Sequence, residues 1–347
     1  MSSDATMLYE TLYRLASKDT ECDLFGANAP LAREAFRRAS AGTSMPIVWF
    51  EVPLSGPPRF DLHVAHGNAD LHEHAPFAPD AMDGHGNLLN WYASEPRAGG
   101  GLALAYDVGD GRIGAPAVHA NVNAAEAFDV EGFFANVDRP EAAALYRDFE
   151  EQLPRGWRTW YFGVHPGRPG APVRVDCFVG ASLKRAYAAE PARFEEDLRQ
   201  AGLAVEGSAA RRVGAEVAAS PFGMELQFDI LSDGALGKTL GVSARLPLAM
   251  ASAARLLWEP AGGAARLMEF AVRSGVADAR WRRVRDATFS TVVQDGGISQ
   301  ALYCIPVFAK FRVRADELLD AKVYLQAGAV SSSRSRILSS DDQISKE

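Results

Sequence analysis

Runs of alternating apolar and polar residues recur along this chain, and they recur in pairs. In RFDLHV, Phe60, Leu62 and Val64 alternate with Arg59, Asp61 and His63. In VRVDCFV, Val173, Val175, Cys177 and Val179 oppose Arg174 and Asp176, and in MELQFDI, Met224, Leu226, Phe228 and Ile230 oppose Glu225, Gln227 and Asp229. In VFAKFRVR, Val307, Phe311 and Val313 oppose Lys310, Arg312 and Arg314, and in AKVYLQ, Val323 and Leu325 oppose Lys322, Tyr324 and Gln326. A period of two with one apolar face predicts strands of an antiparallel sheet. Gly, Pro or Asp joins the members of each pair, as hairpin turns require. Five such pairs can be counted. They begin at MPIVWFEVPL, GLALAYDV, WRTWYFGV, MELQFDIL and DATFSTVV, and the last continues through ISQALYCIPVFAKFRVR to AKVYLQA.

Segments with helical periodicity separate most pairs. APLAREAFRRASA, PEAAALYRDFEEQL, PARFEEDLRQAGL and PLAMASAARLLW with GGAARLMEFAVRSG are the clearest, and 66–87 reads as irregular. The repeat is one of architecture: helix, helix, strand, strand. Helices must cover the apolar faces. The polar faces then point either to bulk water, as in an open sheet, or inward. About ten strands closing into a barrel would enclose a lumen wide enough for a ligand and would remove the exposed edges. The polar faces favour closure because they carry aromatics and cations rather than small polar residues. By parity Trp49, Glu51, Arg59, Trp157, Tyr161, Arg174, Lys322 and Tyr324 all lie on them. The predicted class is α+β, a ten-stranded antiparallel barrel with a polar lumen surrounded by helices. It takes residues 1–330 as one domain and leaves 331–347 as a polar tail.

Composition narrows the function. The chain of 347 residues is 48% hydrophobic and 23% charged, enough for a large core, and its formal net charge of -8 disfavours nucleic acid or an anionic membrane as partner. No apolar run approaches the roughly 18 residues of a membrane span. Cys22, Cys177 and Cys304 are odd in number and far apart, which suits a reducing cytoplasm; a monomer is the separate expectation.

Several short motifs fall on the hairpins. Glu51 ends the first strand and Arg59-Phe60 opens the second. GVHPGR precedes PVRVDCFV, FDILSDG forms a later turn, and AKVYLQA carries Lys-x-Tyr at Lys322 and Tyr324. On these, the chain resembles the ABBA prenyltransferases, and among them the branch that modifies ribosomal peptides, the cyanobactin prenyltransferases. The resemblance covers roughly residues 28 to 328. It departs at His165, where the turn has Asp, and at Gly241, near a position that often carries a diphosphate-binding Tyr. It implies transfer of a dimethylallyl or geranyl group from an allylic diphosphate to a peptide side chain, with Mg²⁺ accompanying the diphosphate.

The residues suit that chemistry. A diphosphate with about three negative charges needs cations and neutral donors that strengthen as the leaving group forms. Arg59, Arg174, Lys310, Arg312, Lys322, Tyr324 and Tyr303 are the candidates, with Lys238 and Arg245 weaker ones; the alternative for each is a solvated strand residue. An allyl cation needs aromatic walls, for which Trp49, His63, Trp157, Tyr161 and Phe178 are the candidates, ordinary core packing being the alternative. Glu51 is the candidate base, since a carboxylate between apolar neighbours needs a partner or a task. An ion pair with Arg59 is its simpler reading.

Two further readings stay open. One is a barrel without chemistry that binds a peptide or small apolar ligand. The other is a metal-dependent enzyme on the histidine-rich stretch His63, His66, His72, His74 and His85, with Glu73 and Asp61 beside it. Its spacing matches no helix-borne ligand pair, and no metal ligand is assigned. No DDxxD, P-loop or GxSxG motif occurs.

Overall fold

The computed structural model describes residues 47–57, 59–66, 85–95, 101–109, 111–122, 128–165, 170–203, 208–295, 298–314 and 316–331, together with Leu24, Pro30, Leu31, Glu34 and Ala35. Ten strands form a closed antiparallel barrel: β1 (Val48–Pro53), β2 (Phe60–His66), β3 (Leu102–Gly109), β5 (Ala117–Asn121), β6 (Trp157–Val164), β7 (Val173–Val179), β8 (Gly223–Ile230), β9 (Thr239–Arg245), β11 (Ile298–Arg314) and β12 (Glu317–Ser331). Each pairs with the next, β9 returns to β11, and β1 lies between β2 and β12. Two further strands extend the wall without entering the ring. They are β4 (Arg112–Ile113), paired with β3, and β10 (Phe289–Asp295), paired with the first part of β11. Hairpin turns cluster at one end of the barrel and helical connections at the other.

Nine helices among the described residues pack around the wall: α1 (Gly86–Ser94), α2 (Val130–Asn136), α3 (Glu141–Glu151), α4 (Ala181–Ala189), α5 (Pro191–Gln200), α6 (Ser208–Ala219), α7 (Ala251–Leu257), α8 (Gly263–Arg273) and α9 (Arg283–Asp286). Local chemistry starts some of them. The Asp129 carboxylate accepts from the Gly132 amide and caps α2, and Pro191 occupies the first turn of α5, where its missing N–H costs nothing. Helices α3, α5, α7 and α8 match expected segments. α1, α2, α4, α6 and α9 add to them. Of the segment expected as a helix before the first hairpin, only Pro30, Leu31, Glu34 and Ala35 are described, all helical.

The apolar strand faces point outward and meet the helices. Phe60, Phe162, Phe228 and Phe311 from the wall are fully buried there with Phe133, Phe134, Tyr146 and Phe194 from the helices. Phe133 meets Phe162 edge-on at 4.7 Å between ring centres. Each buried aromatic contributes about 1.5–3 kcal/mol through removal from water. This layer fixes the barrel's inside: in β2 and β7 alternate residues are buried in the core and half-exposed on the interior face. Of the tail expected over 331–347, Ser331 instead closes β12, and the rest lies outside the described residues.

Candidate active site

Glu51 is the centre of the interior. It sits mid-strand on β1, directly opposite Asp61 of β2 and Tyr324 of β12. Its Oε1 accepts from the Lys322 ammonium and its Oε2, at 2.6 Å, from the Tyr324 hydroxyl, and His63 Nε2 stands 3.4 Å from that same Oε2. Burial alone would push this carboxyl up. Lys322, the His63 hydrogen bond and the Lys310 charge outweigh burial together and hold it well below the usual carboxylate range. The expected pairing of Glu51 with Arg59 is therefore replaced by one with Lys322, because β1 is flanked by β12 as well as β2. Arg59 itself stands just ahead of β2, beside the hairpin turn, and is exposed.

A second group surrounds Lys310 of β11, which is 5% exposed. Its ammonium donates to Gln227 of β8 and lies 3.3 Å from the Tyr324 hydroxyl. Gly241, on β9 between them, makes the contact possible. A Cβ there would meet Lys310 Cε at 2.9 Å and Gln227 Cβ at 3.0 Å, so any larger side chain must displace these two. Burial lowers the Lys310 ammonium to about 8, although Glu51 and Asp176 support its charge. Gln227 also donates to both oxygens of Asp176 at 2.9 and 3.0 Å.

Arg174 of β7 and Arg312 of β11 line the same interior and are both held by carboxylates. Arg174 donates to Asp229 at 3.0 and 3.5 Å, and Arg312 forks onto Asp320. Charges on strands that do not touch act on one another. Glu51 raises Arg174 across the barrel, and Asp176 raises Tyr324. His119 of β5 is lowered far below its ordinary value by burial, then by His63, Arg174, His165 and Lys310. The closed ring of strands places these groups around one interior.

The aromatic lining is continuous on one side. His63 meets His119 at 5.5 Å and Tyr324 at 5.9 Å, and His119 meets Tyr161 at 5.5 Å. Gly163 admits His119, whose ring would lie 2.9 Å from a Cβ at that position. Towards the helical end, Trp49 donates to Gln326 at 3.1 Å, and Gln326 donates to the Tyr303 hydroxyl at 3.0 Å. These rings, with Phe308 and Tyr324, pack around a small apolar cluster of Ile305, Val307, Ala251 and Ala254, separate from the main core.

Three candidates fall elsewhere. Arg59 and Lys238 are exposed beside hairpin turns. Trp157 faces outward, stacks on Phe228 at 5.6 Å and donates to Tyr187 at 2.9 Å. The cause is a bulge: Thr159 pairs with Cys177 and Tyr161 with Asp176, so Trp160 is an extra residue and parity counted through it inverts. Trp160 thereby joins the interior beside Phe178, 4.3 Å between ring centres. A second bulge at Val307 places that residue in the small apolar cluster rather than with Phe311 and Val313 in the core. Sequence parity missed Trp160, and although it placed Asp229 on a polar face, it assigned neither Asp229 nor Asp320 as the acid that holds an arginine.

Of the histidine-rich stretch, His72, Glu73 and His74 lie outside the described residues. His63 faces the interior, whereas His66 is buried on the opposite face of β2, so the two cannot share an ion. Among the described residues no group of three or more His, Cys, Asp or Glu is arranged to hold a metal. No described helix is long and apolar enough to cross a membrane. No protein-family model matches the chain, and a search of curated proteins finds no match. The architecture, a closed ten-stranded antiparallel barrel ringed by helices, is compatible with the prenyltransferase barrel.

Proposed function

We propose that the barrel is a prenyltransferase, which moves a dimethylallyl or geranyl group from an allylic diphosphate to a side chain of a ribosomally made peptide. The observation that carries this reading is Glu51, a carboxylate kept ionised inside an enclosed, aromatic-lined interior beside Lys322, Lys310 and Tyr324. In the proposed step the C1–O bond of the donor breaks, diphosphate leaves, and C1 bonds to the acceptor side chain. Glu51 takes the acceptor's proton. Lys310, Lys322, Arg174 and Arg312 supply positive charge to the departing diphosphate, and the Tyr324 hydroxyl supplies a neutral donor. Mg²⁺ would ride on the diphosphate and water, the ligands it prefers, and would need no protein cage. His63, His119, Tyr161 and Trp49 provide faces that favour a cation and exclude water.

One observation favours a second reading, a barrel that binds a peptide or small apolar ligand without chemistry. Arg174 and Arg312 are already engaged by Asp229 and Asp320, and a donor would have to compete with those carboxylates. Incubation with isotopically labelled dimethylallyl and geranyl diphosphate and a panel of peptides separates the two. Pyrophosphate release that is lost in Glu51→Gln, with donor affinity kept, supports transfer. Binding without release from any donor supports the second reading.

A further inference from the structure

Arg245, at the end of β9, is unlike the other interior arginines. Its guanidinium lies 5.2 Å from the Trp160 ring centre and 5.0 Å from that of Phe178. Its nearest carboxylate, Glu225, is 3.8 Å from Nε, beyond hydrogen-bond reach, and 39% of its side chain is exposed. Glu225 is the complement. It is 6% exposed, and its Oε1 is buried without a hydrogen-bond partner. A buried carboxyl oxygen with no hydrogen bond is costly unless something completes it.

We propose that Arg245, Glu225, Trp160 and Phe178 form a second interior subsite, one that takes a carboxylate carried on an apolar body. The guanidinium binds one carboxylate oxygen, the Glu225 carboxyl donates its proton in a hydrogen bond to the ligand carboxylate, and the two rings hold the apolar part. The charges select a monoanion over a diphosphate: Arg245 is the cation that meets the ligand, Lys310 nearby is engaged by Gln227, and Asp176 lies close. The subsite stands whether or not the barrel transfers prenyl groups.

Glu225 is suited to donate. Burial pushes its carboxyl up to about 8, against the pull of Arg245 from β9 and Lys310 from β11 and with the push of Asp176 from β7. Phe178 and Ser243 are its direct cross-strand neighbours and carry no charge.

The test is calorimetric titration of the full chain with 3-phenylpropionate and with 3-phenylpropionamide. The carboxylate should bind, and the amide should bind at least tenfold more weakly. Arg245→Gln should lose the carboxylate preference. Raising the pH from about 6.5 to about 9 should weaken carboxylate binding about tenfold as Glu225 ionises, and Glu225→Gln should remove that dependence. Equal binding of acid and amide overturns the proposal without recourse to any variant, as does no binding at millimolar concentration. A pH dependence that persists in Glu225→Gln assigns it to Lys310 and removes Glu225 from the subsite. Displacement of the carboxylate by inorganic pyrophosphate makes Arg245 part of a phosphate site instead.

Discussion

Glu51 and Glu225 are both glutamates in the middle of a barrel strand, both aimed inward, and nearly equal in burial at 8% and 6% exposure. Their chemistry is opposite. Glu51 meets an ammonium, a hydroxyl and an imidazole, and its carboxyl is held below the usual range. Glu225 meets one guanidinium at 3.8 Å, leaves an oxygen unsatisfied, and rises to about 8. Burial is common to both, so burial does not decide the protonation state; the number of well-placed donors does. One interior therefore holds an ionised carboxylate and, below about pH 8, a neutral carboxylic acid.

The contrast breaks most severely where Glu51 loses its cation. Lys322→Met leaves a buried carboxylate uncompensated and should destabilise the fold by about 3–5 kcal/mol in urea denaturation. Lys322→Met with Glu51→Gln should recover most of that loss. If the double variant is as unstable as the single one, the pair is not what holds the wall closed between β1 and β12.

The two glutamates should also give opposite pH signatures. Glu51 has a depressed carboxyl, so its stabilisation is present above the unfolded value near 4.3 and is lost as the pH falls below it. The penalty of Glu51→Gln should shrink in acid. Glu225 has a raised carboxyl, so its cost appears as the pH rises from about 4.5 and is complete above about 8. Glu225→Gln should gain on the wild type across that window, with a slope of at most about 1.4 kcal/mol per pH unit. Parallel slopes for the two variants would contradict the contrast.

Smaller effects sharpen it. Tyr324→Phe removes a donor to Glu51 and should cost about 2 kcal/mol while leaving the carboxyl ionised. Gly241→Ala pushes a methyl against Lys310 and Gln227, and about 1 kcal/mol is expected as their side chains shift. Thermal unfolding of each variant measures both.

Much of this could be read along the chain, because alternation marks which half of each strand faces the helices. The polar halves of β2, β7, β8 and β12 lie on the interior as the period of two requires. What could not be read is long-range. Glu51 and Lys322 are 271 residues apart and meet only because the first strand pairs with the last. The local alternative, Arg59 across the hairpin, was the one that sequence spacing offered. The bulges at Trp160 and Val307 carry no marker in composition, yet each reverses which face its neighbours take, sending Trp157 outward and Trp160 in. Helix α6 hides a glycine, Gly214, that propensity disfavours. It is needed because Phe194 of α5 lies where a Cβ would be, 2.3 Å away.

The most direct test is a carboxyl ¹³C titration by NMR with labelled glutamate, the Glu51 and Glu225 signals assigned through Glu51→Gln and Glu225→Gln. The interior described here predicts that Glu51 stays ionised from pH 5 to pH 9 and that Glu225 titrates near pH 8. Both signals moving together near the ordinary glutamate value of about 4.3 would mean that the polar halves of these strands face water and enclose nothing.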